Sequence, residues 1–538
     1  MASESQDSAI QLTPQKSIPL WLAIAPVVVL ILLLVINVYF YGADASYGPN
    51  QIALLMAAAA AAISGMMLKV PVETMIEGMK KSISSALVAM MILLLIGALT
   101  GTWMISGIVP GMIYYGLDVL SPEVFLFATA IVCAIVSVVT GSSWSTVATV
   151  GIALLGIGKS MGIYEGYIAG AIISGAYFGD KISPLSDTTN LAAAMAGTDL
   201  ITHIRYMLWT TVPSFLIALG IYFAMGYMTE PAEVLMGQDA LRQQIADRFN
   251  LNPIVFIVPV GVLVMVLMKV DALVALLAGA VAGGVLAICI QPKIVHQVAG
   301  LPPVVITDAE GNETGETRER SYAAKSYAAF INSMALETVI IGSDRVNELK
   351  GSLASLESDG SEEAQDQLSA AKAEIAAADL LKGKGMVGML NTIWLIITAM
   401  CFGGLMEACG LLQRITQPLV DLAKSTGSLV ATTAGSCLFV NVTASDQYLS
   451  IVVPGRMFRE TYRERGLAPQ NLSRTLEDSG TVTSVLIPWN TCGAAQNAVL
   501  GVAVIAFAPF CFFNLISPFM TILFAMVGIK IAKLQAEK

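Results

Sequence analysis

Five carboxylates stand in or beside long apolar stretches of this 538-residue chain: Asp180, Asp187, Glu407, Asp446 and Asp478. An aspartate at the centre of a membrane helix costs roughly 2.5–3.5 kcal/mol on insertion scales, so a chain that keeps several has a use for them. Burial favours the protonated carboxyl, and a bound cation favours the ionised one. A single buried carboxylate can therefore trade a proton for a small cation, provided that it faces each side of the membrane in turn.

Four polar clusters interrupt the apolar segments near these acids, at 140–146 (TGSSWST), 179–190 (GDKISPLSDTTN), 441–448 (NVTASDQY) and 478–491 (DSGTVTSVLIPWNT). Non-helical backbone at membrane depth is tolerated only where it is buried in protein or lines a wet cavity. Gly, Pro, Ser, Thr and Asn at such breaks free carbonyls and add hydroxyls, the oxygen ligands that suit a small hard cation such as Na+. The candidate ion- or substrate-binding set is Ser142, Ser143, Asp180, Ser183, Asp187, Thr188, Asn190, Thr443, Ser445, Asp446, Asp478, Asn490 and Thr491. Na+ would bind at this same cluster, with Asp187, Asp446 and Glu407 as candidates for proton coupling. Blander roles compete: any lone Ser or Thr can bond its own helix backbone, Asp180 can pair with Lys181, Asp478 can cap a helix, and Glu407 can be interfacial.

Positioning these residues requires membrane helices. Hydrophobic residues make up 56% of the chain and charged ones 13%, against about 45–50% and 25% in a soluble domain. About 20 apolar residues cross a bilayer, and such stretches fall at 18–41, 51–68, 83–109, 166–190, 204–227, 253–269, 271–290, 386–406, 480–505 and 507–528. The first lacks a positively charged leader, since Glu4 and Asp7 precede Lys16, and it reads as a retained helix. The seven cysteines form no CxxC pair, which excludes a zinc or disulfide framework. A net charge of −10 argues against nucleic acid, and no Walker motif is present, so no cofactor is expected. His203 and His296 read as surface or loop histidines.

The chain repeats itself. Gly107 and Gly410 lie 303 residues apart, and the same offset sets Thr140, Ser142 and Ser143 on Thr443, Ser445 and Asp446. An offset of 302 then sets Thr188 and Thr189 on Asn490 and Thr491. Duplicated halves are common in transporters. If 123–140 and 428–443 are arms of re-entrant hairpins, each half crosses five times and the second is inverted. That parse gathers Lys69, Lys80, Lys81, Arg205, Arg456, Arg459, Arg463, Arg465, Lys530 and Lys533 on one side, as the positive-inside rule requires. Six crossings per half, with parallel halves, is the alternative.

The expectation is an all-α polytopic membrane protein of two inverted repeats, with about ten transmembrane helices, two re-entrant hairpins and two broken helices. Residues 1–17 form a tail, 18–228 the first repeat, and 253–290 with 386–530 the second. Residues 291–385 form a soluble helical insert, a polar loop at 301–320 followed by two surface helices meeting near Gly360. With 15 acidic and 9 basic residues, this insert carries much of the negative charge.

At 174–199 (SGAYFGDKISPLSDTTNLAAAMAGTD) the sequence resembles the NhaC family of sodium/proton antiporters, and the likeness continues at 101–116, 140–151, 401–410 and 445–458. The resemblance implies secondary sodium/proton antiport in a bacterial cytoplasmic (inner) membrane, with Na+ and H+ as cargo, lipid as the surroundings and a homodimer as one assembly. It also implies the wider ion-transporter fold, in which two hairpins and two broken helices meet at the midplane. The alternative is sodium- or proton-coupled exchange of a small organic acid, as in malate/lactate exchangers, or of an amino acid. An intramembrane protease built on an Asp180–Asp446 dyad has no use for the Ser/Thr clusters.

Overall fold

The computed structural model describes residues 18–534 apart from 42–44, 46, 120, 229–234, 269, 308–312, 360 and 422–423. The expected tail at 1–17 and the insert's apex at Gly360 lie outside the described residues.

The first half runs α1 (Leu20–Tyr41), α2 (Pro49–Met67), α3 (Val72–Ser85), α4 (Leu87–Ile105), α5 (Ile108–Val119), α6 (Pro122–Thr140), α7 (Ser143–Thr146), α8 (Ile152–Ser160), α9 (Glu165–Ile182), α10 (Asp187–Ala196) and α11 (Leu200–Met228). The middle holds α12 (Leu235–Arg248), α13 (Ile257–Leu267), α14 (Ala272–Ile290), α15 (Pro292–Val298), the strands β1 (Val304–Thr307) and β2 (Glu313–Arg318), and α16 (Tyr322–Ala335). Then come β3 (Thr338–Val339), α17 (Ser343–Asp359), α18 (Glu362–Leu380) and β4 (Lys382–Gly383). The second half continues with α19 (Leu390–Ala408), α20 (Leu411–Asp421), α21 (Thr426–Thr443), α22 (Gln447–Glu464), α23 (Pro469–Leu476), α24 (Thr491–Leu500), α25 (Val504–Phe507) and α26 (Phe512–Val527).

The protein is an all-α polytopic membrane protein. Among the described residues seven helices are long and apolar enough to span a bilayer, or nine if each of two sharply bent pairs is one span. Large apolar side chains such as Leu32, Leu216, Ile257 and Phe519 are exposed on their outer faces. In water such a surface would aggregate, whereas in hydrocarbon it needs no partner. Inside, close approach depends on small residues. A methyl added at Gly175 or Gly179 of α9 would overlap the α6 carbonyls of Ala130 or Ala134.

The two halves pack in a swapped pattern. The second half's α19 lies against α2 and α3 of the first, while the first half's α4 lies against α14 and α16. Gly404 of α19 meets Gly78 and Ser82 of α3, and Gly101 of α4 meets Ser333 of α16. Thus α16, although it falls in the segment read as an insert, occupies on α4 the place that α3 occupies on α19. Within 301–320, where a polar loop is expected, β1 pairs antiparallel with β2, Val304 opposite Arg318. Strand β1 is Val-Val-Ile-Thr, a run of four β-branched residues that favours a two-stranded ribbon.

Backbone geometry fixes the repeat register. Left-handed residues recur at Gly107 and Gly410, Gly141 and Ser445, Gly162 and Gly466, and Gly197 and Gly501. The first pair is 303 apart and the rest 304 apart. The step arises at one place: Gly141 follows the end of α6 directly, whereas Ala444 stands between the end of α21 and Ser445. This corrects the offsets read from sequence. Ser142 corresponds to Asp446, and Ser186 to Asn490, each pair being helix N-caps.

Candidate functional site

Both expected helix breaks are present. In the first repeat α9 stops at Ile182 and α10 starts at Asp187, capped by Ser186, whose Oγ accepts from Thr189 N at 3.4 Å. In the second, α23 runs through a π-helical turn at Glu477–Thr481, and α24 starts at Thr491 behind Asn490, whose Oδ1 accepts from Cys492 N at 3.1 Å. Pro184 and Pro488 stand in the two breaks and forbid a continuous helix.

At the first hairpin's tip, Asp180 Oδ2 accepts from Ser143 N at 3.0 Å and from Ser143 Oγ at 2.7 Å. Its Oδ1 is buried without a protein partner. Ser142 caps α7 through Ser145 N at 3.2 Å. At the second tip, Asp446 caps α22 through Leu449 N at 2.8 Å and is 3% exposed. The Ser445 carbonyl accepts from Thr491 N at 3.0 Å, while the Ser445 Oγ stays unpartnered. Asn490 Nδ2 reaches Asn441 Oδ1 and O, both at 3.1 Å.

Four contacts at these acids join the repeats. Lys181 Nζ forms a fully buried ion pair with Asp478 Oδ1, and Thr210 Oγ1 donates to Asp478 Oδ2 at 2.8 Å. Thr188 Oγ1 donates to Glu477 Oε1 at 3.1 Å. Tyr448 OH donates to Asp187 Oδ2. The structure therefore brings Ser142, Ser143, Asp180, Asp187, Thr188, Ser445, Asp446, Asp478, Asn490 and Thr491 into one region of contacting elements.

Other expected residues serve their own backbone. Ser183 Oγ accepts from Leu185 N at 3.3 Å, Asn190 Nδ2 donates to Ser186 O at 2.6 Å, and Thr443 Oγ1 donates to Phe439 O at 2.7 Å. Glu407 sits half-buried near the end of α19. Asp180 does not pair with Lys181, and Asp478 is no N-cap, because the lysine reaches across to Asp478 instead.

Sequence reasoning missed Glu477, which is fully buried with Oε2 unpartnered, one residue before the polar cluster that begins at Asp478. It also missed Lys181 as a bridge, although a lysine amid apolar sequence is itself a signal. His203, read as a surface residue, is fully buried on α11 and contacts Ser473 Oγ at 2.8 Å. It reaches no surface because Tyr206 and the 530–532 segment close over that end of α23. His296 does lie at an exposed edge, 3.2 Å from Lys325 Nζ. Trp103 and Trp489 bond the carbonyls of Gly279 and Val442 at 3.1 and 2.8 Å, so each fastens helices together.

Among the described residues no three His, Cys, Asp or Glu side chains gather as a metal centre. A cation bound here would be held by a mixed set of carboxylate, hydroxyl and carbonyl oxygens, the coordination that suits hard ions.

The model of the Na+/H+ antiporter family matches residues 175–307 and 323–529. A Na+/H+ antiporter NhaC of Alkalihalophilus pseudofirmus is 34% identical over 486 residues, 90% of this chain and 92% of the relative. A malate-2H+/Na+-lactate antiporter of Bacillus subtilis is 30% identical, covering 89% of this chain and 90% of its own length. An NhaC from the same organism is 32% identical, with 89% and 92% covered.

Proposed function

Because this chain belongs to the Na+/H+ antiporter family, and within it to the NhaC type, we propose that it exchanges sodium for protons at the buried carboxylates where its two broken helices meet. The observation that carries this is the state of Asp180. One carboxylate oxygen is held by the tip of the first hairpin through Ser143, and the other is buried and unoccupied by protein.

A proton or a sodium ion at that free oxygen excludes the other, because both satisfy the same negative charge. Asp446 offers the equivalent competition at the second tip, and Glu477 adds a buried acid on the π turn. Asp478 is already neutralised by Lys181 and so acts as a tie between repeats. Asp187, exposed and held by Tyr448, stands at the entrance. Exchange follows if the hairpin tips and half-helices open to one side when protonated and to the other when sodium is bound, with the ion gradients supplying the drive. The setting is a bacterial cytoplasmic membrane, and the two halves are inverted.

Everted vesicles carrying the protein, loaded with a pH gradient reported by a fluorescent dye, test this directly. Addition of sodium should dissipate the gradient. No response to sodium or lithium between about pH 6.5 and 9, with uptake of labelled malate in its place, would transfer the site to the chemistry named for the B. subtilis malate/lactate relative. For topology, a cysteine at Asn347 should react with an impermeant thiol reagent outside intact cells and one at Arg463 should not. Labelling of position 347 only after permeabilisation would overturn the inverted arrangement.

A further inference from the structure

The segment that leaves α18 and enters α19 threads through the membrane helices before it reaches its own span. Strand β4 pairs with β3, Thr338 opposite Gly383, and Met386 N bonds Met334 O at 2.9 Å. Gly383 lies against Gly101 and Thr100 of α4, and Gly385, at φ +62°, lies against the end of α16 while its carbonyl faces Gly97. No side chain fits at these three α4 contacts, so the run 381–386 is wedged in place. Between the two glycines Lys384 points away from α4, and its Nζ donates to Ala498 O at 2.6 Å.

Ala498 belongs to the last turn of α24, which ends at the left-handed Gly501, and Lys384 Nζ passes close to that glycine. The final carbonyls of a helix lack amide partners and carry partial negative charge, so an ammonium there both bonds and neutralises them. At the equivalent helix end in the first repeat a cation also stands close: the guanidinium of Arg459, on α22, lies against Gly197 at the end of α10. Two half-helices that begin at the ion site each end at a cation. Neither α4 nor α24 carries an acidic or basic side chain, and the carboxylate that attracts Lys384 is Glu337, from the turn after α16.

We propose that Lys384 is a positioning residue for exchange, holding the far end of α24 so that its near end presents Asn490 and Thr491 to the second hairpin tip. Helix α24 has only ten residues, about 15 Å of rise, and a short rigid rod fixed at one end is fixed at the other. The segment read from sequence as a soluble insert thereby becomes part of the scaffold of the site. This role rests on the exchange of sodium for protons proposed for the same site.

The test compares wild type with Lys384→Met and Lys384→Arg in the same everted vesicles, measuring KM for sodium and maximal rate. Hydrogen exchange of the purified protein over residues 491–501 is followed alongside. Lys384→Met should raise KM for sodium about three- to tenfold and speed exchange of the α24 amides, and Lys384→Arg should restore both. A methionine variant within twofold of wild type in both readouts overturns the proposal. So does a defect that arginine fails to restore, because that marks packing alone. If the methionine variant is not recovered from membranes, Lys384→Gln takes its place, with the same shifts expected and the same results overturning the proposal. Sodium-insensitive wild-type vesicles would count against sodium/proton exchange, and the amide measurement then decides the role of Lys384 by itself.

Discussion

The break in the first repeat and the break in the second use one backbone device in two states of access. Both half-helices start behind a side-chain cap, end at a left-handed glycine and finish against a cation. Around the first, Pro184, Leu185, Asp187 and Asn190 are exposed; around the second, Asn490, Thr491, Cys492 and Gly493 are buried. Matching elements at unequal exposure are what an alternating-access carrier presents when it is caught facing one way. The geometry of the site is thus shared between the halves, and its accessibility is not.

The strongest challenge to this pairing is to cut the tie between the breaks. Lys181→Met leaves Asp478 charged, fully buried and unpaired, and loss of one partner of a buried pair costs about 3–5 kcal/mol. Thermal melting of the detergent-purified protein should fall sharply, and Lys181→Met with Asp478→Leu should recover most of the loss. A single variant that melts like wild type would mean that the two breaks are not joined through this pair.

Next in size are the tip carboxylates. Asp180→Asn and Asp446→Asn should each lower sodium-driven exchange by at least about 30-fold, the equivalent of roughly 2 kcal/mol for a charged group with buried partners. Equal losses would strengthen the equivalence of the tips, and a loss confined to one would assign the coupling to a single repeat. Tyr448→Phe removes the bond to Asp187 at the open side, and a threefold or smaller change in KM for sodium is expected, from about 0.5 kcal/mol. The difference in access can be read directly: a cysteine at Asn190 should be alkylated far faster than native Cys492, and equal rates would erase the distinction. The smallest effect concerns Ser445, a non-glycine residue at φ +60°. Ser445→Gly should raise melting stability by up to about 1 kcal/mol, as its counterpart Gly141 already has the permissive residue.

Much of this architecture is legible because membranes make sequence explicit. Apolar runs mark the spans, and the Gly/Pro/Ser interruptions mark both breaks and both tips, since only a buried or wet setting tolerates them. Asp180, Asp446 and Asn490 stand out by residue type alone. What cannot be read locally is direction. Lys181 and Asp478 are 297 residues apart, and nothing nearby tells a lysine to cross to the other repeat when an aspartate is its neighbour. Glu477 is hidden by the π turn, which rotates one extra residue into the interior. The register slips by one residue because Ala444 adds length without adding a recognisable motif. The packing of α16 is hidden for a similar reason: it is polar enough to pass as a surface helix until α4 is seen to cover it.

The recurrence of left-handed turns also carries a history. From Gly141 to Gly501 the spacing between halves never departs from 304, so after one ancestral segment was copied, the lengths within these turns stayed fixed and the large length difference accumulated ahead of α19. The charges did not follow. At that spacing Asp180 corresponds to Ser484, Asp187 to Thr491, Asp446 to Ser142 and Asp478 to Ser174. Each of these four acids has a hydroxyl as its counterpart, and Glu477 has Ile173, so none faces another acid. The two copies inherited a common architecture of turns and then divided the chemistry between them, so that neither half, taken alone, contains the complete set of groups that the other supplies.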